Sequence, residues 1–128
     1  MKNFTLAVYI LLCSLATAQS PGIQSGPMVG YSEMKEVAIW IQTTGAAEVV
    51  IAYTPADGEH EFKTEPATTA KGTAFTATLI CDSVSEGTQY TYRVFINGNP
   101  IAIDRALSFE TQTLWQWRED PPAFTFAI

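Results

Sequence analysis

Short runs in which apolar and polar side chains alternate recur between residues 37 and 110. In each run every second residue is β-branched, aromatic or another apolar type, so a strand would place these side chains on one face. The runs cover residues 37–42, 49–54, 75–81, 90–96 and 107–110. A period of two residues predicts β-strands, and no stretch shows the sustained 3.6-residue period of an amphipathic helix.

Turn-forming residues separate these runs. Glycine or proline with small polar neighbours lies at 43–45, 55–58, 71–72 and 86–87, which is typical of loops between strands. Asn97-Gly98-Asn99 stands between two runs and predicts a β-hairpin, because glycine adopts positive φ without steric cost. Six or seven short strands over about 85 residues favour a two-sheet antiparallel sandwich, with a closed barrel as the lesser alternative.

Two aromatic residues refine this prediction. Trp40 lies within the run 37–42, where we expect a buried indole to anchor the core between the sheets. Tyr90 ends an apolar–x–x–Gly–Thr–x–Tyr pattern over residues 84–90. A tyrosine that begins a strand there, with its hydroxyl bonded to nearby backbone, is the tyrosine corner of immunoglobulin-like sandwiches. With the closing run Leu107-Ser108-Phe109-Glu110-Thr111, the chain resembles a fibronectin type III domain over residues 27–111.

The N-terminus has the features of a secretory signal peptide. Lys2 precedes an apolar run at residues 4–13, and Ala16-Thr17-Ala18 offers the small residues that signal peptidase requires. The run is about half of the roughly 20 residues that cross a bilayer, so no membrane span is expected after cleavage. We therefore predict a signal peptide over 1–18, a flexible leader over 19–26, and export to the periplasm or the extracellular space.

Charge narrows the classes of partner. The chain of 128 residues has 7 Lys+Arg and 13 Asp+Glu, for a formal net charge of −6. Removing residues 1–18 takes away one lysine and makes the domain more acidic still. A nucleic-acid partner is not expected, because non-specific binding to phosphates depends on a basic surface.

One cysteine, Cys81, would remain after signal cleavage, since Cys13 lies inside the predicted signal peptide. A disulfide framework needs cysteine pairs, so the core alone is expected to hold this domain. Cys81 shares one face of its run with Ala77 and Leu79, which predicts a small buried apolar side chain. A thiol that pairs with a group outside the chain is the alternative.

Candidate catalytic residues are few. His60 lies in an acidic turn, Asp57-Gly58-Glu59-His60-Glu61, and it is the only histidine, whereas a zinc site needs three or four convergent ligands. For acyl transfer, His60 would need a nearby activated Ser or Cys and an orienting acid, and Ser83, Ser85 and Ser108 lack a nucleophile-elbow motif. We therefore predict no catalytic, cofactor-binding or metal-binding residues in this chain.

The two ends of the sandwich sequence carry a narrower resemblance. Gly26-Pro27-Met28-Val29-Gly30-Tyr31, Ala38-Ile39-Trp40-Ile41-Gln42-Thr43, Tyr90-Thr91-Tyr92-Arg93-Val94 and the segment 114–122 are similar to the N-terminal domain of PhoD-like (alkaline phosphatase D family) metallophosphoesterases. The resemblance implies a following catalytic domain as partner, which would hold divalent or trivalent metal ions such as calcium and iron. It implies that a phosphoester substrate is bound by that domain alone.

The last sixteen residues fit this resemblance. Residues 113–128 are expected to be a linker and the first strand of the catalytic domain, after a fibronectin III-like sandwich over 27–112. As a free tail, the apolar run 123–128 would be an unpaired edge, whereas a following domain would bury it. The candidate interdomain contacts are Trp115, Trp117, Arg118, Phe124 and Phe126. Alternatively, the aromatic residues cap the sandwich and the run 123–128 folds onto it as a last strand.

The sequence therefore predicts an all-β, immunoglobulin/fibronectin III-like antiparallel β-sandwich preceded by a signal peptide. Its leading functional interpretation is the non-catalytic N-terminal domain of a secreted PhoD-like alkaline phosphatase or phosphodiesterase. A stand-alone secreted binding or adhesion module is the alternative. A small enzyme with an unrecognised site is the third interpretation.

Overall fold

The structure, a computed structural model, describes residues 19–114, Ala123 and residues 125–127. In this part of the chain the regular elements are strands and one short 3₁₀ helix, Lys71–Thr73. The strands are β1 (Ile23–Ser32), β2 (Val37–Thr43), β3 (Ala47–Pro55), β4 (Phe62–Lys63), β5 (Ala67–Thr69), β6 (Thr76–Cys81), β7 (Gln89–Ile96), β8 (Asn99–Pro100) and β9 (Ser108–Glu110).

The strands form two antiparallel sheets. The first sheet has the order β1-β2-β6. In the second sheet β3 pairs with β7, the short strands β4 and β5 pair with the free edge of β3, and β8 and β9 pair with the free edge of β7. The predicted all-β fold of two packed antiparallel sheets, an immunoglobulin/fibronectin III-like sandwich, is confirmed.

Alternate residues of the long strands meet between the sheets. On β2 the inward side chains are Val37, Ile39 and Ile41, all fully buried. The rest of the core comes from β3, β6, β7 and β9, and its members are Ala47, Val49, Ile51, Tyr53, Leu79, Cys81, Val84, Tyr90, Tyr92, Val94, Ile96 and Phe109. The period of two therefore identifies the inner face of each of these strands.

Strand β1 corrects the prediction of a flexible leader over residues 19–26. It begins at Ile23 and pairs with β2 through a register that shifts three times. Gly26 lies at one shift with φ +82°, and an added Cβ would lie 3.0 Å from the carbonyl oxygen of Trp40. Glycine, serine and proline, which argue for a loop, here serve an irregular edge strand that pairing with β2 stabilises.

The end of the sandwich that holds the β7–β8 hairpin is closed by side-chain hydrogen bonds. Asn97 (φ 50°) and Gly98 (φ 78°) form the predicted hairpin turn, and Asn97 Oδ1 accepts a bond from the Glu48 N–H at 3.0 Å. Beside it, the buried hydroxyls of Thr43 and Thr69 lie 2.7 Å apart. These contacts stay within the sandwich.

Candidate functional site

The opposite end of the sandwich, where the described chain leaves β9, begins with a tyrosine. The hydroxyl oxygen of Tyr90 accepts a hydrogen bond from the backbone N–H of Ser85 at 2.9 Å. The tyrosine corner predicted from the sequence is therefore confirmed, and it holds the loop between β6 and β7 against the core. A second buried tyrosine acts in the same way, because Tyr53 accepts a bond from the Ser83 N–H at 3.1 Å. Sequence reasoning missed this second contact, since its partners lie 30 residues apart.

Thr111 links that loop to the segment that follows β9. Its hydroxyl oxygen accepts a bond from the Thr88 N–H at 2.9 Å, and the same hydroxyl contacts the carbonyl oxygen of Ser85 at 2.5 Å. Its own N–H donates to the Thr88 carbonyl oxygen at 3.1 Å. Only 2% of Thr111 is exposed, so these bonds satisfy polar groups that water cannot reach.

The same segment is also bonded to the first sheet. Ser32, at the end of β1, donates its hydroxyl to the Glu110 carbonyl oxygen, and the Gln112 N–H donates to the Glu33 carbonyl oxygen at 3.3 Å. The Gly87 N–H donates to the Gln112 carbonyl oxygen at 3.0 Å. We call residues 110–112, with these partners from the end of β1 and from the β6–β7 loop, the exit anchor. It fixes the position and direction in which the chain leaves the sandwich.

An ion pair reinforces the exit anchor from outside. Lys35, in the turn between β1 and β2, bonds to the carboxylate of Glu86 in the β6–β7 loop. This hydrogen bond lowers the pKa of the Glu86 carboxyl from its ordinary value. Both side chains are exposed, so the pair orients the turn and the loop and adds little stability.

The outward side of the first sheet presents apolar side chains to solvent. Across the strands Met28 faces Trp40, Tyr31 faces Ala38, and Ala38 faces Ile80. Met28 is 54% exposed, Tyr31 42% and Ile80 37%, whereas Trp40 is half-buried and Ala38 is buried. We call Met28, Tyr31, Ala38, Trp40 and Ile80 the apolar face.

The apolar face corrects the expectation that Trp40 is buried between the sheets. Val37, Ile39 and Ile41 occupy the inner side of β2, so strand alternation turns Trp40 outward. At the edge of the face, the Tyr31 hydroxyl donates to a carboxylate oxygen of Glu36 at 2.7 Å. That hydrogen bond raises the pKa of the Tyr31 phenol and holds its ring in place.

The outward side of the second sheet is covered differently. The Lys63 Nζ lies 5.8 Å from the centroid of the Phe95 ring, and the Arg93 guanidinium lies 5.5 Å from it. Arg93 also forms an ion pair with Glu61. Charged groups thus cover the large apolar ring of this surface, which we call the charged face (Glu61, Lys63, Arg93 and Phe95).

Side chains with catalytic potential have structural roles in this fold. Cys81 is fully buried, as predicted, and burial, with a smaller contribution from Asp82, raises the pKa of its thiol to about 12. His60 is exposed and packs edge-on against the Phe62 ring, with 4.5 Å between the ring centroids. Ser83 and Ser85 contribute backbone N–H groups to the tyrosine contacts, and Ser108 is exposed on β9.

A protein metal site needs several ligand side chains that converge on one point. Among residues 19–114 and the described residues after 122, no three His, Cys, Asp or Glu side chains converge on a possible metal position. The same residues contain no helix that is long and apolar enough to cross a bilayer.

Of the five candidate interdomain contacts, four lie outside the described residues: Trp115, Trp117, Arg118 and Phe124. The fifth, Phe126, is described and is 74% exposed. The predicted signal peptide over 1–18 also lies outside the described residues. These predictions stay predictions.

A family model matches most of the chain. Residues 20–114 match the family described as "Domain of unknown function (DUF7800)". No curated protein matches the chain in sequence.

Two solved structures are similar to the chain. The sensor domain of the anti-sigma factor RsgI4 from Pseudobacteroides cellulosolvens aligns with a TM-score of 0.51 at 14% identity, over 77% of this chain and 100% of that one. The fn3 domain of the human collagen alpha-1(XX) chain aligns with a TM-score of 0.46 at 18% identity, over 85% of this chain and 100% of that one. At this identity the likeness to the sensor domain concerns the fold alone.

Proposed function

We propose that this chain, which belongs to the DUF7800 family, forms the non-catalytic N-terminal sandwich domain of an exported PhoD-like metal-dependent phosphoesterase. In this role the sandwich binds and orients the catalytic domain that follows it in the polypeptide. The sequence resemblance described above provides the identity of that domain. The structure of the sandwich provides the reason why such a domain would be held in place.

The exit anchor is the observation that carries this proposal. Residues 110–112 make backbone and hydroxyl hydrogen bonds on two sides: to Ser32 and Glu33 at the end of β1, and to Gly87 and Thr88 of the β6–β7 loop. A flexible tether needs no such bonds, because linkers between independent domains make few contacts with them. An exit that the end of β1 and the β6–β7 loop both hold would transmit the orientation of the sandwich to the chain that follows.

In this proposal the metal chemistry belongs to the following domain. Divalent or trivalent metal ions bound there would polarise the phosphoester and activate the nucleophile. The residues of the described sandwich do not fit such a metal, because no ligand set converges among them and the Cys81 thiol is buried. What this chain's own residues do is hold the exit and present the apolar face.

The experiment that tests the proposal starts from the native protein that carries this sequence. Its intact mass is measured, and the hydrolysis of p-nitrophenyl phosphate and bis-p-nitrophenyl phosphate is followed with and without a chelator. We expect a mass several times that of the 14.0 kDa chain and hydrolysis that the chelator abolishes. A native mass at or below 14.0 kDa, or a longer protein with no phosphoester hydrolysis after metal addition, would contradict the proposal.

Export is tested by the same preparation. Cleavage after Ala18 predicts that the mature protein begins with Gln19-Ser20 and is found in the periplasm or outside the cell. N-terminal sequencing of the native protein checks this directly. Retention of Met1 in a cytoplasmic protein would contradict it.

A stand-alone secreted binding or adhesion module is the second candidate function, and the apolar face favours it. Trp40, Tyr31 and Met28 on one surface are residue types that protein interfaces favour. The two functions differ in the length of the native protein. A native protein of 14.0 kDa or less that binds a separate partner through Trp40 would support the second one.

A further inference from the structure

The apolar face is unusual because its members are contiguous. Single exposed apolar residues are normal on protein surfaces, whereas connected groups of large ones mark contact sites. The pairing of β1 with β2 and of β2 with β6 places Met28 beside Trp40, and Tyr31 and Ile80 on the two sides of Ala38. The face therefore spans all three strands of the first sheet.

On the opposite surface, the sandwich covers the outward Phe95 ring with its own side chains. The apolar face therefore differs from the rest of the outer surface. On the charged face Lys63 and Arg93 approach the Phe95 ring, and Arg93 pairs with Glu61. On the apolar face the Tyr31–Glu36 hydrogen bond lies at one edge, no cation lies over the Trp40 ring among the described residues, and Met28 is 54% exposed. A connected face of this kind is typical of a contact site.

The path of the chain favours a partner that follows the sandwich in the same polypeptide. Tyr31 precedes Ser32 and Glu33, the two residues that bond to the exit anchor. From Gln112 to Phe124, in the predicted first strand of the next domain, there are twelve residues, which reach at most about 40 Å when extended. Strand β2 has seven residues and is about 23 Å long. A domain that begins near Phe124 can therefore reach every part of the apolar face.

Charge indicates the surface that the partner presents. Glu33 and Glu36 lie at the exit side of the face and Asp82 follows β6, whereas the nearby Lys35 is already paired with Glu86. On the β1 side, Arg105 donates a hydrogen bond to the Pro27 carbonyl oxygen beside Met28. The rim of the face is therefore acidic at the exit side. A complementary surface has an apolar centre that accepts Trp40 and Met28, with Arg or Lys at its rim.

Resting on the proposed function, we propose that the apolar face is the docking surface for the following domain of the same polypeptide, which covers Met28 and Trp40 with an apolar patch rimmed by basic side chains. The docked face and the exit anchor together hold the sandwich at two places, so the two domains move as one body.

Methionine oxidation in the native full-length protein tests this proposal. Hydrogen peroxide converts an accessible Met28 thioether to its sulfoxide, and peptide mass spectrometry follows the rate. We expect Met28 to be oxidised about tenfold more slowly in the wild type than in the Ile80→Lys variant. The new lysine, on β6 at the far side of the face, opposes docking because the proposed partner surface is apolar with a basic rim. The matched control Phe95→Lys, on the charged face, should keep the slow wild-type rate.

The outcomes separate this proposal from the proposed function. Rapid oxidation of Met28 in all three proteins, with metal-dependent hydrolysis intact, overturns the docking and leaves the function standing. Protection that disappears on dilution indicates a second copy and also overturns it. A native protein without a following domain removes both proposals together. If Ile80→Lys fails to fold by circular dichroism, Tyr31→Lys takes its place on the same face.

Discussion

The two outward surfaces of this sandwich are built from similar strands and differ in what covers them. Phe95 of the charged face lies under Lys63 and Arg93, whereas among the described residues no cation lies over the Trp40 ring and Met28 is 54% exposed. Long cationic side chains can shield an apolar ring with their stems and keep their charge in water. The second sheet thus shields its outward ring with its own side chains, whereas in the proposed docking a following domain shields the first sheet.

The largest difference in the free energy of unfolding is expected between substitutions at two neighbouring residues of β2. Ile39 is fully buried, so Ile39→Ala should lower the free energy of unfolding by about 2–5 kcal/mol. Trp40→Ala should lower it by about 1–2 kcal/mol, because the outward indole is only half-buried. Urea unfolding of both variants checks the ranking. A larger loss for Trp40→Ala would place the indole in the core and erase the apolar face.

The exit anchor is the next largest test, since it joins the apolar face to the rest of the chain. Thr111→Val leaves the Thr88 N–H and the Ser85 carbonyl oxygen without their hydroxyl partner, at a cost of about 1–3 kcal/mol. Hydrogen exchange at the Thr88 amide should increase in the same variant. Thr111→Ser keeps the hydroxyl and should behave like the wild type. Equal free energies of unfolding for all three proteins would show that the Thr111 hydroxyl does not make these hydrogen bonds.

The Cys81 thiol tests whether the inner side of the first sheet is dry. Burial raises its pKa to about 12 in the folded protein, whereas an unfolded thiol titrates near 8.5. A raised pKa means that this contribution to stability is complete below pH 8.5 and is lost as pH rises above it, by about 1 kcal/mol for the first pH unit. The midpoint temperature of thermal unfolding should fall more steeply between pH 7 and pH 9.5 for the wild type than for Cys81→Ala. Parallel curves would contradict a buried thiol.

The charged face should tolerate the loss of its ion pair. Arg93→Gln removes the pair with Glu61 and one cation over Phe95, and both are exposed contacts. We expect a loss of less than about 1 kcal/mol that shrinks at high salt. Unfolding at two ionic strengths measures it. A loss as large as that of Ile39→Ala would mean that the two outward surfaces do not differ as described.

The smallest effect concerns the Lys35–Glu86 pair beside the exit. The hydrogen bond from Lys35 lowers the pKa of Glu86 in the folded protein. A lowered pKa adds stability above the ordinary carboxyl range, and this stability is lost as pH falls through the folded value. The difference between wild type and Glu86→Gln should therefore be slightly positive at pH 7 and vanish in strong acid. A difference that grows as pH falls would contradict the pair.

The alternation of side chains predicted most of this fold because it depends on local geometry. Residues 37, 39 and 41 turn to one side of a strand whatever lies elsewhere, and the same holds for 90, 92 and 94. The tyrosine corner was predictable for a similar reason, since Tyr90 and Ser85 are only five residues apart.

What the sequence could not predict depends on distant partners. Strand β1 has a loop-like composition, and it becomes a strand because β2 pairs with it. The prediction of a buried Trp40 rests on its place within a strand run, although its position between Ile39 and Ile41 places it on the opposite side of β2. The exit anchor joins Glu33 to Gln112, and no local pattern indicates a contact across 79 residues of chain.

The most direct test of the account compares the two outward surfaces in one experiment. Hydroxyl-radical footprinting of the native full-length protein labels accessible side chains, and mass spectrometry reads Met28 and Trp40 against Phe95. If the apolar face is docked, Met28 is labelled far less than its 54% exposure in the sandwich would allow, and Trp40 far less than a half-buried side chain would be. Phe95, which is also half-buried, is then labelled as its exposure in the sandwich allows. Strong labelling of Met28 and Trp40, at the level that their exposure in the sandwich allows, would contradict the account.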